Sequence, residues 1–98
     1  MKEIPHLAEA FAQILQEARG QARLSQTALA HEIGGTRSFI SFLETRDHLP
    51  SLNSFLAIAH AVGVPSVELL ARLEAKLVML AAQNDAQESD GHDKKGKS

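Results

Sequence analysis

The sequence predicts an all-α fold, a compact domain of five helices whose last helix is extended and is followed by a polar tail. Apolar residues recur every three or four positions along most of the 98-residue chain, and no run alternates apolar and polar residues as a half-buried strand would. Ser, Thr, Gly and Pro stand where this pattern breaks, as they do at helix ends. Apolar residues make up 44% of the chain, which is enough for one modest core.

Composition excludes several classes of protein. The chain contains no cysteine, which excludes disulfide scaffolds and thiolate metal sites and fits a reducing cytoplasm. No apolar run approaches the roughly 20 residues of a membrane span, and the segment "MKEIPHLAEAF" lacks the pattern of a signal peptide. The formal net charge of −2 argues against a protein that binds nucleic acid through bulk charge. We therefore expect a cytoplasmic protein without a membrane partner.

The first two helices each present one apolar face. In the first helix the spacings of three and four place these residues on one stripe: Leu7, Phe11, Ile14, Leu15 and Ala18. The second helix follows Ser25, a good N-cap residue, and directs Leu29 and Ile33 inward. Both helices are therefore expected to pack on the same core.

A sharp turn separates the second helix from the third. Gly34 can adopt the left-handed conformation that turns a chain after a helix, and Thr36 can cap a third helix over residues 36–44. Ala30 is small where another helix must pass closely. The segment from about residue 26 to 45 is thus predicted to be a helix-turn-helix, which projects its second helix from the body of the domain. The alternative is plain packing, because steeply crossed helices also occur in bundles that never contact DNA.

The third helix divides into two arcs when its residues are placed about 100° apart. The arc suited to the core holds Thr36, Phe39, Ile40, Leu43 and Glu44. The opposite arc holds Arg37, Ser38, Ser41, Phe42 and Thr45. A guanidinium, hydroxyls and an apolar ring are the groups that read guanine edges, phosphates and thymine methyls in the major groove. Phe42 has three open interpretations: contact with a thymine methyl, packing under a neighbouring loop, or contact with a protein partner.

The remaining chain predicts two more helices and a tail. Pro50 and Ser51 open a fourth helix that Gly63 closes, and its inward residues are expected to be Leu52, Phe55, Leu56, Ala59 and Val62. The fifth helix spans about residues 66–82. Residues 84–98 contain no large apolar residue and are expected to be disordered, which leaves one domain over residues 1–83.

The fifth helix is longer than closing a small core requires. Four leucines repeat along it at spacings of three, four and three: Leu70, Leu73, Leu77 and Leu80. This heptad-like seam either packs on the chain's own core or pairs, beyond Leu73, with a second copy of the chain. We expect a homodimer.

Four segments together resemble the Xre/Cro-like helix-turn-helix regulators, which are related to the lambdoid phage repressors. These segments are "LSQTALA", the glycine at position 34, "TRSFISFLE" and "LPSLNSFLAIAHAVGV", and the resemblance runs from about residue 11 to 70. It implies a lambda repressor-like DNA-binding domain that binds a pseudo-palindromic operator in double-stranded DNA as a symmetric dimer.

The resemblance also implies roles for particular residues. The residue matching Gln26 touches the DNA backbone and the first bases, and those matching Arg37, Ser38 and Phe42 face bases. Contacts with phosphates are implied for Thr36, Ser41 and Thr45. Arg19 and Glu44 occupy the positions of a buried ion pair that joins the first helix to the end of the recognition helix.

Two arginines depart from the family pattern. Arg46 and Arg23 stand where related sequences often place glycine, in positions that can require a positive φ. Either the two loops differ in shape, or strain is accepted because each arginine can reach a phosphate. Both residues are therefore included among the candidate DNA contacts.

The sequence favours a transcriptional regulator, with repression as the expected action, over an enzyme. It shows no paired carboxylates on a common helix face and no phosphate-binding glycine loop, so no catalytic residues and no cofactor are predicted. The five histidines fall on separate segments without ligand-like spacing, and no metal site is predicted: positions 6, 31, 48, 60 and 92. The alternative function is an antitoxin or another protein-interaction module, with a toxin or a second regulator as its partner.

Overall fold

The computed structural model describes residues 1–45 and 48–97, and it describes side chains for residues 1–45 and 48–83. Its helices, in chain order, are α1 (Leu7–Gln21), α2 (Gln26–Ile33), α3 (Arg37–Glu44), α4 (Leu52–Val62) and α5 (Ser66–Lys97). No strand occurs within these described ranges. The predicted all-α fold class is confirmed.

Hydroxyl caps begin α2, α3 and α4, and left-handed glycines end α2 and α4, where the sequence predicts. The side chains of Ser25, Thr36 and Ser51 accept hydrogen bonds of 3.0, 3.1 and 3.0 Å from the backbone N–H three residues further along. Gly34 and Gly63 follow α2 and α4 with φ of 70° and 75°. These local signals fix the ends of the helices, because each cap satisfies backbone groups that a helix end leaves unpaired.

The core lies where all five helices meet. Helix α1 packs against α3 and α5, while α4 packs against α2 and α5. The fully buried large side chains are Phe11, Ile14, Leu15, Leu29, Ile40, Leu43, Ile58 and Leu69. Phe11 and Phe55 join α1 to α4 with their ring centroids 6.2 Å apart.

The buried face of α4 differs from the prediction. Phe55 is partly buried, and Ala59 and Val62 are buried, as expected, but Leu52 and Leu56 are 74% and 48% exposed. Ile58 takes the fully buried position instead. The prediction was wrong here because α4 is apolar around most of its circumference, so periodicity alone could not select the inward arc.

Helix α5 lies across α1 and is held there by polar contacts. The guanidinium of Arg72 donates to Gln21 Oε1 at 3.1 Å, and Lys76 Nζ lies 3.0 Å from Glu17 Oε2. The predicted fifth helix, residues 66–82, lies within α5. Helix α5 continues to Lys97 and so includes residues 84–97 of the tail that the sequence predicts to be disordered. The side chains of this segment lie outside the described ones, and the predicted domain boundary stays a prediction.

Candidate nucleic-acid interface

The turn between α2 and α3 is closed by backbone hydrogen bonds. The N–H of Gly34 donates to the carbonyl of His31 at 3.2 Å, and the N–H of Gly35 donates to the carbonyl of Ala30 at 2.8 Å. This pair of bonds is the Schellman arrangement, which requires a left-handed residue at the position of Gly34. Three residues therefore separate the two helices, and Thr36 restarts the chain as a helix at once.

The two arcs predicted for α3 are recovered with small differences. On the inner arc, Ile40 and Leu43 are fully buried and Glu44 is 9% exposed. The exposed residues of the outer arc are Arg37, Ser38, Phe42 and Thr45, whereas Ser41 is half-buried. Thr36, predicted on the inner arc, is exposed and serves as the N-cap. The solvent-exposed face of α3 is thus the one with the guanidinium, the hydroxyls and the aromatic ring.

Phe42 is 51% exposed, and part of its ring is covered by the loop that follows α3. The Phe42 ring and the His48 imidazole are stacked, with centroids 5.2 Å apart and an interplanar angle of 27°. Part of the Phe42 ring therefore packs against a neighbouring loop, as one of the three interpretations predicts, and the rest of the ring is exposed to solvent. Sequence reasoning missed His48 because a loop residue six positions after Phe42 carries no periodic signal.

Glu44 anchors the inner side of α3 to α1. Arg19 Nε lies 2.7 Å from Glu44 Oε2, and Arg19 Nη2 donates to Glu44 Oε1 at 3.0 Å, so the pair is bidentate. Arg19 Nη1 also donates to the carbonyl of Leu24 at 2.9 Å. The hydrogen bond to Glu44 raises the pKa of Arg19; burial lowers it, and the charge of Glu44 raises it further. The structure thus brings together the two residues of the implied ion pair.

Two glutamines complete the cluster around Glu44. Gln26 Nε2 donates to Glu44 Oε1 at 3.0 Å, and Gln16 Nε2 donates to the backbone carbonyl of Glu44 at 3.2 Å. The side chain of Gln26, for which the resemblance implies DNA contacts, is therefore turned toward the ion pair in this structure. It lies at the first position of α2, so the Glu44 carboxylate connects α1, α2 and α3.

Arg23 occupies the left-handed position that the sequence analysis flagged. Its φ is 59°, its N–H donates to the carbonyl of Gly20 at 3.0 Å, and the N–H of Leu24 donates to the carbonyl of Arg19 at 3.1 Å. The turn after α1 thus keeps the shape that glycine would favour, with an exposed arginine in its place. Arg46, the other departure, lies outside the described residues.

The four leucines predicted as a dimer seam separate into two environments. Leu73 and Leu80 belong to the chain's own core, and Leu77 packs against that core. Leu70 is 46% exposed. Three of the four leucines therefore pack on the chain's own core, as one of the two interpretations of the seam predicts.

A different apolar stripe on α5 faces solvent. Its exposed members are Val67, Leu70, Ala71, Val78 and Ala81. At about 100° per residue these positions span roughly a quarter of the helix circumference, adjacent to the buried side, and the exposed Glu74 lies within the same arc. Leu70 also lines a groove with Leu52 at the start of α4, so the exposed apolar side chains of the two helices lie near each other.

Two further features bear on the class of protein. Within the described residues, no group of three His, Asp or Glu side chains is arranged to hold a metal ion. In the same part of the chain, no helix taken singly has the length and apolar character needed to cross a membrane; the segments Leu52–Val62 and Ser66–Gln83 meet that test only as a pair bent by 106°.

Comparisons with known proteins agree with this geometry. A family model described as a helix-turn-helix domain matches residues 10–73. The chain is similar to the clp gene regulator ClgR from Corynebacterium glutamicum, with a TM-score of 0.80 and 23% identity over 89% of this chain and 93% of that one. It is also similar to the restriction-modification controller protein C.AhdI from Aeromonas hydrophila, with a TM-score of 0.60 and 34% identity over 66% of this chain and 97% of that one. No curated protein sequence gives a significant match.

Proposed function

We propose that this chain, which belongs to the helix-turn-helix domain family that its sequence predicted, is a cytoplasmic, sequence-specific DNA-binding transcriptional repressor. The observation that carries the proposal is the exposed outer arc of α3, held at a fixed angle by the Gly34 turn and by the Arg19–Glu44 pair. Residues 1–83 would form the DNA-binding domain, with α3 inserted into the major groove. A regulator that occupies promoter DNA excludes other proteins from it, which is the basis for assigning repression.

The outer arc supplies the groups for reading bases. Arg37 is the first residue of α3 and is exposed, so its guanidinium can donate two hydrogen bonds to the O6 and N7 atoms of a guanine. Ser38, one position further, offers a hydroxyl, and Phe42 offers apolar surface. These three residues are the proposed base contacts.

The remaining contacts would hold the DNA backbone. Exposed Arg23 carries a charge beside the start of α2, and Thr36, Ser41 and Thr45 carry hydroxyls along α3. Arg46 is retained as a proposed contact from the sequence alone. Gln26 would have to share its amide between Glu44 and the DNA, since Nε2 has two hydrogens and Glu44 accepts one of them. Because Arg19 is bound to Glu44, backbone N–H groups at the starts of α2 and α3 would share the phosphate contacts.

A homodimer would present two copies of α3 to successive turns of the groove. The support for it is the solvent-facing apolar stripe of α5 together with Leu52 and Leu56 on α4, since exposed apolar surface of this kind is typical of interfaces. Val67 is 80% exposed and Leu70 is 46% exposed. Of the seam predicted from the sequence, Leu70 is thus the residue best able to reach a partner, with Leu77 beside it.

Selection of bound sites from random duplex DNA tests the proposal. The expected result is one enriched, pseudo-palindromic sequence with half-sites about one helical turn apart. Val67→Lys should give monomers in sedimentation equilibrium and weaken binding to the full operator, while Met79→Lys, about 120° around α5 from Val67, should do neither. Reporter expression from a promoter that overlaps the operator should fall when the protein is present. A selection that enriches no sequence would contradict the proposal.

The second candidate is an antitoxin or another partner-binding subunit. Leu52 and Leu56 favour it, because two exposed leucines one turn apart on α4 could fit a groove on a toxin or a second regulator. A toxin gene beside this gene would support this function, and a palindrome upstream of its own gene would support autoregulation. DNA contact and partner binding are compatible, because the outer arc of α3 and the leucines of α4 are different surfaces; a protein partner would take the place of the second copy at Leu52 and Leu56.

A further inference from the structure

The aromatic pair formed by Phe42 and His48 is not explained by packing of the core. Both residues are exposed, and the stack joins the outer arc of α3 to the loop that follows it. A centroid separation of 5.2 Å lies within the range of about 4.5–7 Å in which aromatic rings attract each other. The contact therefore restrains a side chain that would otherwise sample several rotamers on the protein surface.

The restrained ring lies among the proposed base contacts. Ser38 is one helical turn before Phe42 and is exposed, and Arg37 precedes it on the same outer arc. With His48 against the ring, 51% of the Phe42 residue remains accessible. A ring that is already ordered loses less conformational entropy when it binds than a mobile ring does.

We propose that His48 is a specificity-determining residue, which positions the Phe42 ring so that its free surface contacts the 5-methyl group of a thymine. This inference rests on the proposed function. Of the four bases, only thymine displays a methyl group in the major groove. Apolar side chains such as Phe distinguish thymine from the other bases by contacting this methyl group. His48 acts through Phe42 and need not touch the bases itself.

Replacing thymidine with deoxyuridine removes this methyl group and changes nothing else on the base-pair edge. The operator obtained by selection is prepared with deoxyuridine at each symmetric pair of thymidines in turn, and dissociation constants are measured for the wild type. One pair should show affinity lowered about fourfold per methyl lost, as expected for one apolar carbon removed from a contact. Phe42→Ala should abolish the thymine preference at that pair alone.

His48 is tested by three variants against the same two duplexes. The quantity compared is the ratio of the affinities for the thymidine and the deoxyuridine duplex, taken per methyl group lost. His48→Ala should reduce this ratio below twofold, whereas His48→Phe, which keeps a stacking ring, should restore it. His60→Ala removes an exposed histidine on α4 and should leave the ratio unchanged. In the free protein, the upfield ring-current shift of the His48 imidazole protons should disappear in Phe42→Ala.

Several outcomes would overturn the inference. Equal weakening of both duplexes by His48→Ala and His48→Phe would show a phosphate contact, with no role in base selection. An unchanged ratio in His48→Ala would show that His48 does not position the ring for base selection. An unchanged ratio in Phe42→Ala would show that the ring reads no methyl group and would favour a protein partner for it. These results leave the proposed function standing, whereas a selection that enriches no duplex overturns both.

Discussion

The helix-turn-helix formed by α2 and α3 and the long helix α5 differ in how their faces are encoded. In α2 and α3, hydroxyl caps mark both starts and a left-handed glycine marks the end of α2, and an ion pair assigns one face of α3 to the interior. Helix α5 carries apolar residues on two adjacent stripes, one buried through Leu73 and Leu80 and one exposed through Val67 and Leu70, and the Lys76–Glu17 pair joins it to α1. Local caps thus fix the turn of the first region, whereas tertiary contacts select the buried face of both α3 and α5, with the Arg19–Glu44 pair acting on α3 and the Lys76–Glu17 pair on α5.

Removal of the ion pair is the largest expected effect and tests what orients α3. Glu44→Ala should lower the free energy of unfolding by about 4 kcal/mol, because it leaves the Arg19 guanidinium partly buried without its carboxylate. The matched control is Glu68→Ala, which removes the partner of Arg72 in the more exposed pair on α5 and should cost below about 1 kcal/mol. Urea unfolding of both variants measures the difference. Equal losses in the free energy of unfolding would contradict the role of the ion pair in orienting α3.

The two leucine environments of α5 give the next largest effect. Leu73→Ala should destabilise the fold by about 3 kcal/mol, because it leaves a cavity in the core. Leu70→Ala should cost below about 1 kcal/mol, since its side chain is half exposed, while it weakens self-association. Urea unfolding at low protein concentration measures the stability of each variant, and sedimentation at high concentration measures its self-association. Similar free energies of unfolding for Leu73→Ala and Leu70→Ala would contradict the division of α5 into a buried and an exposed stripe.

Arg37 tests whether the outer arc of α3 affects binding independently of stability. Arg37→Ala should cost about 2 kcal/mol of binding free energy on the preferred operator and flatten the preference at one symmetric pair of base positions. Its unfolding curve should match the wild type, because the residue is exposed. Titration against single-base operator variants gives the answer. A uniform loss on every variant would identify Arg37 as a phosphate contact.

Two glycines provide the smallest effects, and these differ in sign. Gly34→Ala should destabilise by about 1 kcal/mol, because the left-handed conformation is strained for any residue with a Cβ atom. Gly20→Ala should stabilise by about 0.5 kcal/mol, because Gly20 lies in α1 with open space where a Cβ would stand. Thermal unfolding resolves the sign. Stabilisation by Gly34→Ala would show that the turn is not fixed by this glycine.

Most of the fold and of the candidate site could be predicted because their signals are local. Ser25, Gly34 and Thr36 determine the turn through bonds that span three to five residues, and the outer arc of α3 follows from its register. The exposure of Leu56 could not be predicted, because α4 is apolar on several sides and its neighbours select the buried one. The stack of His48 on Phe42 depends on the path of a loop, which no period in the sequence encodes.

The cluster around Glu44 has a consequence for how such a protein can change its target in evolution. One carboxylate bonds side chains from α1 and α2, so the pose of α3 is set by residues that face away from its outer side. Substitutions at outer positions such as Ser38 can then accumulate with little cost to folding, and under the proposed function each would shift the DNA sequence that is read. Glu44 and Arg19 have no such freedom, because a change in either must be matched by a change in the other. New specificities can therefore arise by single steps on a constant framework.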